Sequence, residues 1–289
     1  MGLLGFGSKS RGGAHKVQKA LDKMLRGKPV PAIPQLTLKV LQKVRDPACE
    51  TEEIAATLEW DPVLVVRVLK TVNTAAYGPA TAIENVRHAV SYMGRAQLEQ
   101  VVLAVAVSDA LPSGPARGFD SLRFWSAASK RAALSRILAD ELHPARSAEA
   151  FTGGLLQDLA IPILAHSRPD DYGPILERWH AEGHTSLPAI EREVVGWTHA
   201  DVGGLLARNW ELPEGLSSQI FRHHRDEAGA NELLPSLALV SVLRETEEEH
   251  GVDALVAVAR SDFGLAADWT KAALAEADAQ AHELAQLLS

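Results

Sequence analysis

Phe151-Thr152-Gly153-Gly154-Leu155-Leu156-Gln157-Asp158-Leu159-Ala160 is the stretch around which this chain is organised. It reads as part of a helix opened at Ser147, with Leu155, Leu156 and Leu159 apolar before Pro162. Ahead of it the pattern predicts a long helix from about Asp120 to Leu142, with Leu122, Trp125, Ala132 and Ile137 as core contacts. The turn-rich Pro112-Ser113-Gly114-Pro115 marks the best internal boundary. Behind it, Tyr172, Ile175, Leu176 and Trp179 share one helical face, and Ser186 with Pro188 start a helix through Val195. Thr198 and Asp201 have capping-box spacing ahead of Val202, Leu205, Leu206 and Trp210. Leu212-Pro213 opens one more helix, ending near His223-His224, and two or three others fill 233–289.

Further upstream, Ile33, Leu36, Val40, Leu41 and Val44 form a stripe that Asp46-Pro47 ends, because the residue before proline avoids the helical region. Thr51 is placed to cap a short helix with Ile54 and Leu58 inward. Asp61 caps the next, and Pro62 sits where its missing N–H costs nothing. That helix should run to Gly78-Pro79. Val86, Ala89, Val90 and Met93 follow, closed by Gly94. Leu98, Val101, Val102 and Val105 lie on a helix so apolar that it should be central. Strand-like alternation is absent. The fold class is therefore all-α: about a dozen short helices joined by short loops.

Composition narrows the function classes. The chain has 289 residues, 46% of them hydrophobic and 23% charged, a globular balance. One cysteine, Cys49, cannot form an internal disulfide, and it suits a reducing cytoplasm. No apolar run approaches the length of a membrane span; Val101–Val107 has only seven residues. Residues 1–30 hold seven basic side chains against Asp22, a net of +6, so the rest of a chain of charge −8 carries −14. So acidic a body disfavours DNA, whose phosphates need clustered Lys and Arg. The basic head is expected to be a solvated lead-in, with the first 14 or so residues disordered.

Common catalytic signatures are missing. The chain has no phosphate-cradling glycine loop after a strand, no Gly-x-Ser-x-Gly elbow, no Cys-x-x-Cys and no His-Glu-x-x-His. His223 and His224 are adjacent, so on a helix they would point about 100° apart and not easily share a metal. His199 sits in the first turn of a capped helix, where a structural hydrogen bond is expected.

Taken in order, these segments resemble a known family. The 151–160 stretch is similar to the centre of the HD superfamily, where a His-Asp pair follows Gly-Leu-Leu. Pro31-x-Ile33-Pro34, Asp61-Pro62, Leu69, Val72-Asn73, Ala76-Tyr77-Gly78, Ala89-Val90, Met93-Gly94, Phe124-Trp125, His199-x-Asp201-Val202-Gly203, Trp210-Glu211-Leu212-Pro213 and His223-His224 resemble its HDOD (HD-related output) branch. Enzymes of the superfamily converge a His, a His-Asp pair and a later Asp on one metal, which lowers the pKa of a bound water. Aligned on this chain, those positions read Ala127, Gln157, Asp158 and Arg244. One ligand survives. The resemblance therefore implies no catalysis, no cofactor and no HD metal. Asp158 is expected either to pair with Arg244 or to cap a helix or face solvent.

The resemblance also implies an HDOD domain over 31–225, with a helical lobe at 31–110, an HD-like lobe at 118–225, and a C-terminal helical extension at 226–289. The expected role is a bacterial regulatory module of the cytoplasm that acts through a protein partner, in cyclic-di-GMP, motility or stress signalling. Two alternatives stay open. One is a nucleotide second-messenger sensor using Arg131, His199, Arg222, His223, His224 and Arg225 to line the vestigial cleft. The other is a residual metal-dependent phosphohydrolase.

Overall fold

Helices account for the regular structure of the computed structural model, which describes residues 11–74, 77–182, 185–224, 233–243 and 249–288. In chain order they are α1 (Arg11–Met24), α2 (Gln35–Arg45), α3 (Thr51–Leu58), α4 (Pro62–Val72), α5 (Val86–Ala110), α6 (Ser121–Leu142) and α7 (Ser147–Leu156). They continue with α8 (Ala160–Ser167), α9 (Pro169–Ala181), α10 (Leu187–Val194), α11 (His199–Asn209), α12 (Glu214–Arg222), α13 (Pro235–Val240), α14 (Glu249–Phe263) and α15 (Ala267–Leu288). A single 3-10 turn, Pro144–Arg146, precedes α7. The described residues contain no strand, only one isolated bridge between Ala116 and Phe119. The all-α expectation holds, and no described helix is long and apolar enough to cross a membrane.

Helices α2, α3 and α4 pack on α5, whose second half is buried all round from Val101 to Val107. Gly94 breaks α5 with φ +68° and ψ 175°, a backbone region open almost only to glycine. The break sets the next side chain, Arg95, at the end of α2. Its guanidinium donates to the carbonyls of Lys43, Val44, Asp46 and Cys49, at the end of α2 and in the turn that follows it. Asp61 caps α4 through Val63 N and Leu64 N, as its sequence predicts. Asn73 ends α4 and then clasps Ile83, accepting from its N–H and donating to its carbonyl, both at 2.8 Å.

Helix α6 is the spine. Its Ala128 and Ala132 belong to the main core with α5 and α7. Ala133, Leu134, Leu138 and Ala139 face a second core with α13, α14 and α15. Lys130 to Asp278 at 2.7 Å and Arg136 to Gln280 at 2.9 Å tie α6 to α15. Gly154 lets α7 lie against α6: a Cβ there would stand 2.7 Å from the Arg131 carbonyl.

Several expectations need correction. The basic head is not merely a solvated lead-in from residue 11 onward. Helix α1 packs on α11, with Leu21 and Leu25 fully buried. Arg168 donates to the Met24 carbonyl, and the Trp210 indole donates to Pro31 at 2.7 Å. Here three apolar residues on one helical face outweigh the surrounding charge. Residues 1–10 lie outside the described residues. Thr51 is the first residue of α3 and caps nothing; Glu50 holds the cap position without a side-chain bond. Helix α4 stops at Val72, well short of Gly78. Leu122 is 60% exposed. Pro162 does not follow a helix but sits in the first turn of α8, where a proline N–H is not needed. Trp125, Trp179 and Trp210 are all buried, as their helical spacing implies.

Candidate functional site

Asp158 lies in the tight junction between α7 and α8, two residues past Leu156. Its carboxylate neither caps α8 nor faces solvent. Arg131, from the middle of α6, forms an ion pair with Oδ2, and both side chains are buried. Arg131 stands four residues after Ala127, so both lie on the same face of α6. Helix α6 thus supplies the guanidinium that faces Asp158. Arg244, the expected partner of Asp158, lies outside the described residues, and so does Arg225. The described counter-ion is Arg131.

On its other oxygen Asp158 meets two imidazoles. His199 Nε2 lies 3.2 Å and His223 Nε2 3.1 Å from Oδ1. The two Nε2 atoms are 3.1 Å apart, and His224 Nε2 is 2.9 Å from that of His199. This convergence corrects the reading of the adjacent pair. Helix α12 ends at Arg222, so His223 and His224 lie beyond it and the 100° spacing does not apply. Asp158, His199, His223 and His224 offer four donor atoms within 4.8 Å of one another. No other such group of three or more occurs among the described residues.

The far sides of the His199 and His223 rings are held as well. Nδ1–H of His199 donates to Glu191 Oε2 at 2.9 Å, and the His199 backbone N–H donates to the same oxygen at 3.0 Å. The Tyr172 hydroxyl donates to Oε1 of this fully buried carboxylate. His223 Nδ1–H donates to the Ile220 carbonyl at 2.7 Å. His199 owes its position to the capping box, in which Thr198 and Asp201 bond reciprocally at the start of α11.

Electrostatics follow from burial. Burial alone would raise the Asp158 pKa, but Arg131 and the hydrogen bonds from His199 and His223 outweigh it and hold the group well below its usual range. Burial alone would lower the His199 pKa, but Glu191 and Asp158 push it up to about 10. His224 is driven well below the ordinary histidine value by burial and by the other two rings. At neutral pH the Arg131 cation and a protonated His199 offset the Asp158 and Glu191 carboxylates, which is what a dry interior requires.

At the described positions that the resemblance aligns with the HD ligands, that ligand set is not repeated. Ala127 offers no lone pair, Gln157 offers an amide, and one oxygen of Asp158 is held by Arg131. Of the suggested cleft residues, Arg131, His199 and His223 are buried and committed to these contacts, while Arg222 and His224 are half-buried. Sequence reasoning missed Glu191 and Tyr172, which carry no recognisable motif. It had named Arg131 only as a cleft cation, although its i, i+4 spacing from Ala127 was there to read.

Comparison with known proteins places this geometry. The HDOD domain profile matches residues 30–226. An HDOD domain protein of unknown function from Geobacter sulfurreducens is 22% identical, with a TM-score of 0.68 over 94% of this chain and 98% of that one. A "Putative phosphohydrolase" from Shewanella amazonensis SB2B is 22% identical, with a TM-score of 0.74 over 94% and 98%. A "Putative signal transduction protein" from Marinobacter aquaeolei VT8 is 17% identical, with a TM-score of 0.70 over 95% and 66%. An uncharacterized protein of Treponema pallidum (strain Nichols) is 24% identical over 221 residues, which span 75% of this chain but only 42% of that protein. Since the profile covers most of the chain, from the helix after Pro34 to the histidine pair, the protein belongs to the HDOD domain family.

Proposed function

We propose that the chain is a non-catalytic signal-transduction module of the cytoplasm that acts by binding a protein partner. The observation that carries this reading is the Arg131–Asp158 ion pair. A cation of the protein itself sits on the carboxylate that the resemblance aligns with the Asp of the HD pair. Ala127 and Gln157, which the resemblance aligns with two further ligand positions, support the same reading, since neither would hold a metal that activates water. The Marinobacter relative of the same fold, named for signal transduction, agrees with this reading. The nucleotide-sensing alternative is weaker, because Arg131 is committed to Asp158 and unavailable to a phosphate.

The test is turnover. Purified full-length chain is incubated with bis(p-nitrophenyl) phosphate and with cyclic dinucleotides, in the presence of Mn2+, Mg2+ or Fe2+. The expected result is no release beyond metal alone. Hydrolysis that disappears in Asp158→Asn overturns the proposal. Affinity capture from the native host, with partners identified, then tests the interaction role.

A further inference from the structure

We propose that the outer face of α4 is the centre of a two-fold symmetric dimer, in which a second copy of this chain lays its own α4 antiparallel across it. The inference adds an oligomeric state to the signalling role and does not depend on that role.

Helix α4 presents an apolar strip to solvent. Trp60, in the turn before the helix, is 72% exposed, Val63 is 67% exposed and Val66 is 49% exposed. Val63 and Val66 stand three residues apart and share one helical face. The other face is already committed to the core through Leu64, Val68 and Val72. Valine is a weak helix former, and on an exposed face of a single chain it gains no burial in return. Apolar side chains scattered singly over a surface are ordinary, whereas a contiguous group marks a contact.

The strip complements itself. A two-fold axis between Val63 and Val66 sets Val63 of each copy on Val66 of the other. Side chains this small let the two helix axes approach to about 8 Å. Lys70 lies about 8 Å beyond that midpoint at 1.5 Å per residue, and Glu59 stands as many residues before it. The axis therefore sets Glu59 of each copy against Lys70 of the other. Both are exposed, and neither has an ion-pair partner among the described residues. Arg67, the other cation on this face, pairs with Asp109 within its own chain and adds no repulsion.

A receptacle for the tryptophan lies at the far end. The end of α4 and the last turns of α15 border an open groove of about 450 Å³, lined by Leu69, Lys70, Asn73, Thr74, Glu283 and Gln286. The same axis carries Trp60 of one copy toward Leu69 of the other, at this groove. The lining suits an indole: Leu69 meets the ring, and Glu283 and Gln286 bring oxygens of the kind its N–H seeks. Binding energy concentrates in aromatic anchors that enter a pocket of the partner. The contact is isologous, so a dimer has two such anchors and two Glu59–Lys70 pairs, and assembly closes at two copies.

The experiment is sedimentation equilibrium of the full-length chain across the micromolar range. The expected result is a monomer–dimer equilibrium with no larger species. Trp60→Ser and Val63→Asp should each weaken it at least about tenfold. Both positions are exposed, so the variants should keep the helical circular dichroism of wild type. Glu59→Lys alone and Lys70→Glu alone should each weaken the dimer, because each sets like charges together twice. The double variant reverses the sense of both pairs and should return to within about threefold of wild type. Val194→Asp, at another exposed apolar position, on α10, should leave the equilibrium unchanged. A chain that stays monomeric throughout overturns the proposal, including one that captures a different protein through Trp60. A dimer indifferent to both Trp60→Ser and Val63→Asp overturns it as well, and failure of the double variant to recover refutes the antiparallel register.

Discussion

Arg131→Met tests whether the guanidinium is the counter-ion that lets Asp158 stay ionised in the interior. Methionine keeps most of the aliphatic stem, so the change removes charge with little loss of packing. Asp158 would be left as a carboxylate only 8% exposed. Removing one member of a buried ion pair typically costs about 3–5 kcal/mol. Here the lower end applies, about 3 kcal/mol, because His199 and His223 still reach Oδ1. The assay is urea unfolding at pH 7 with chelator present, which keeps any cation out of the comparison. Asp158→Asn and the double variant complete a cycle, with a coupling expected between about 1 and 3 kcal/mol. The acid limb offers an independent check. A carboxyl group held below its ordinary 3.8 stabilises the fold above that pH and loses this contribution as pH falls through its folded value. Arg131→Met should therefore flatten the acid loss. A variant within about 1 kcal/mol of wild type, or strictly additive with Asp158→Asn, would refute the reasoning.

Three other outcomes follow from the geometry. In the chelated protein, the raised pKa of His199 stabilises the fold fully below about pH 6.5. That contribution fades as pH rises toward about 10, by at most roughly 1.4 kcal/mol per unit; urea unfolding of wild type against His199→Gln across this range reads it. Gly94→Ala should destabilise by about 1–3 kcal/mol, since alanine must adopt a backbone region nearly reserved for glycine; thermal unfolding checks it. Gly154→Ala should cost about 1–3 kcal/mol because its methyl meets the α6 backbone at Arg131, which cannot rotate aside; a matched Gly251→Ala, which meets no neighbour, is the control in the same unfolding assay.

The helices were legible because their periodicity and caps are local. Asp61 with Pro62, and Thr198 with Asp201, act within one turn, and both behave as their sequence implies. Thr51 failed as a cap because the chain enters the helix one residue earlier. The head misled because net charge was read before the Leu21, Met24 and Leu25 face. The centre was only half legible. Asp158 and the histidine pair stood out as motif fragments, but their contacts join residues up to 65 positions apart, as with His223 and Asp158. Glu191 is the clearest case: one of two acids on α10, it is fully buried while Glu193 is exposed. Only the assembled fold distinguishes it from its exposed neighbours.

The two-sided burial of α6 has a practical meaning for anyone cutting or fusing this chain. The family match ends at residue 226, but the interior does not. A fragment ending there would bare Leu134 and Leu138, along with the Ala133 and Ala139 that flank them. It would also strand the buried end of Lys130 without Asp278. Since Arg131 is the next residue along that same helix, loosening the far side of α6 should be felt at Asp158. A chain cut at residue 226 should therefore unfold more readily than one that keeps α13 to α15.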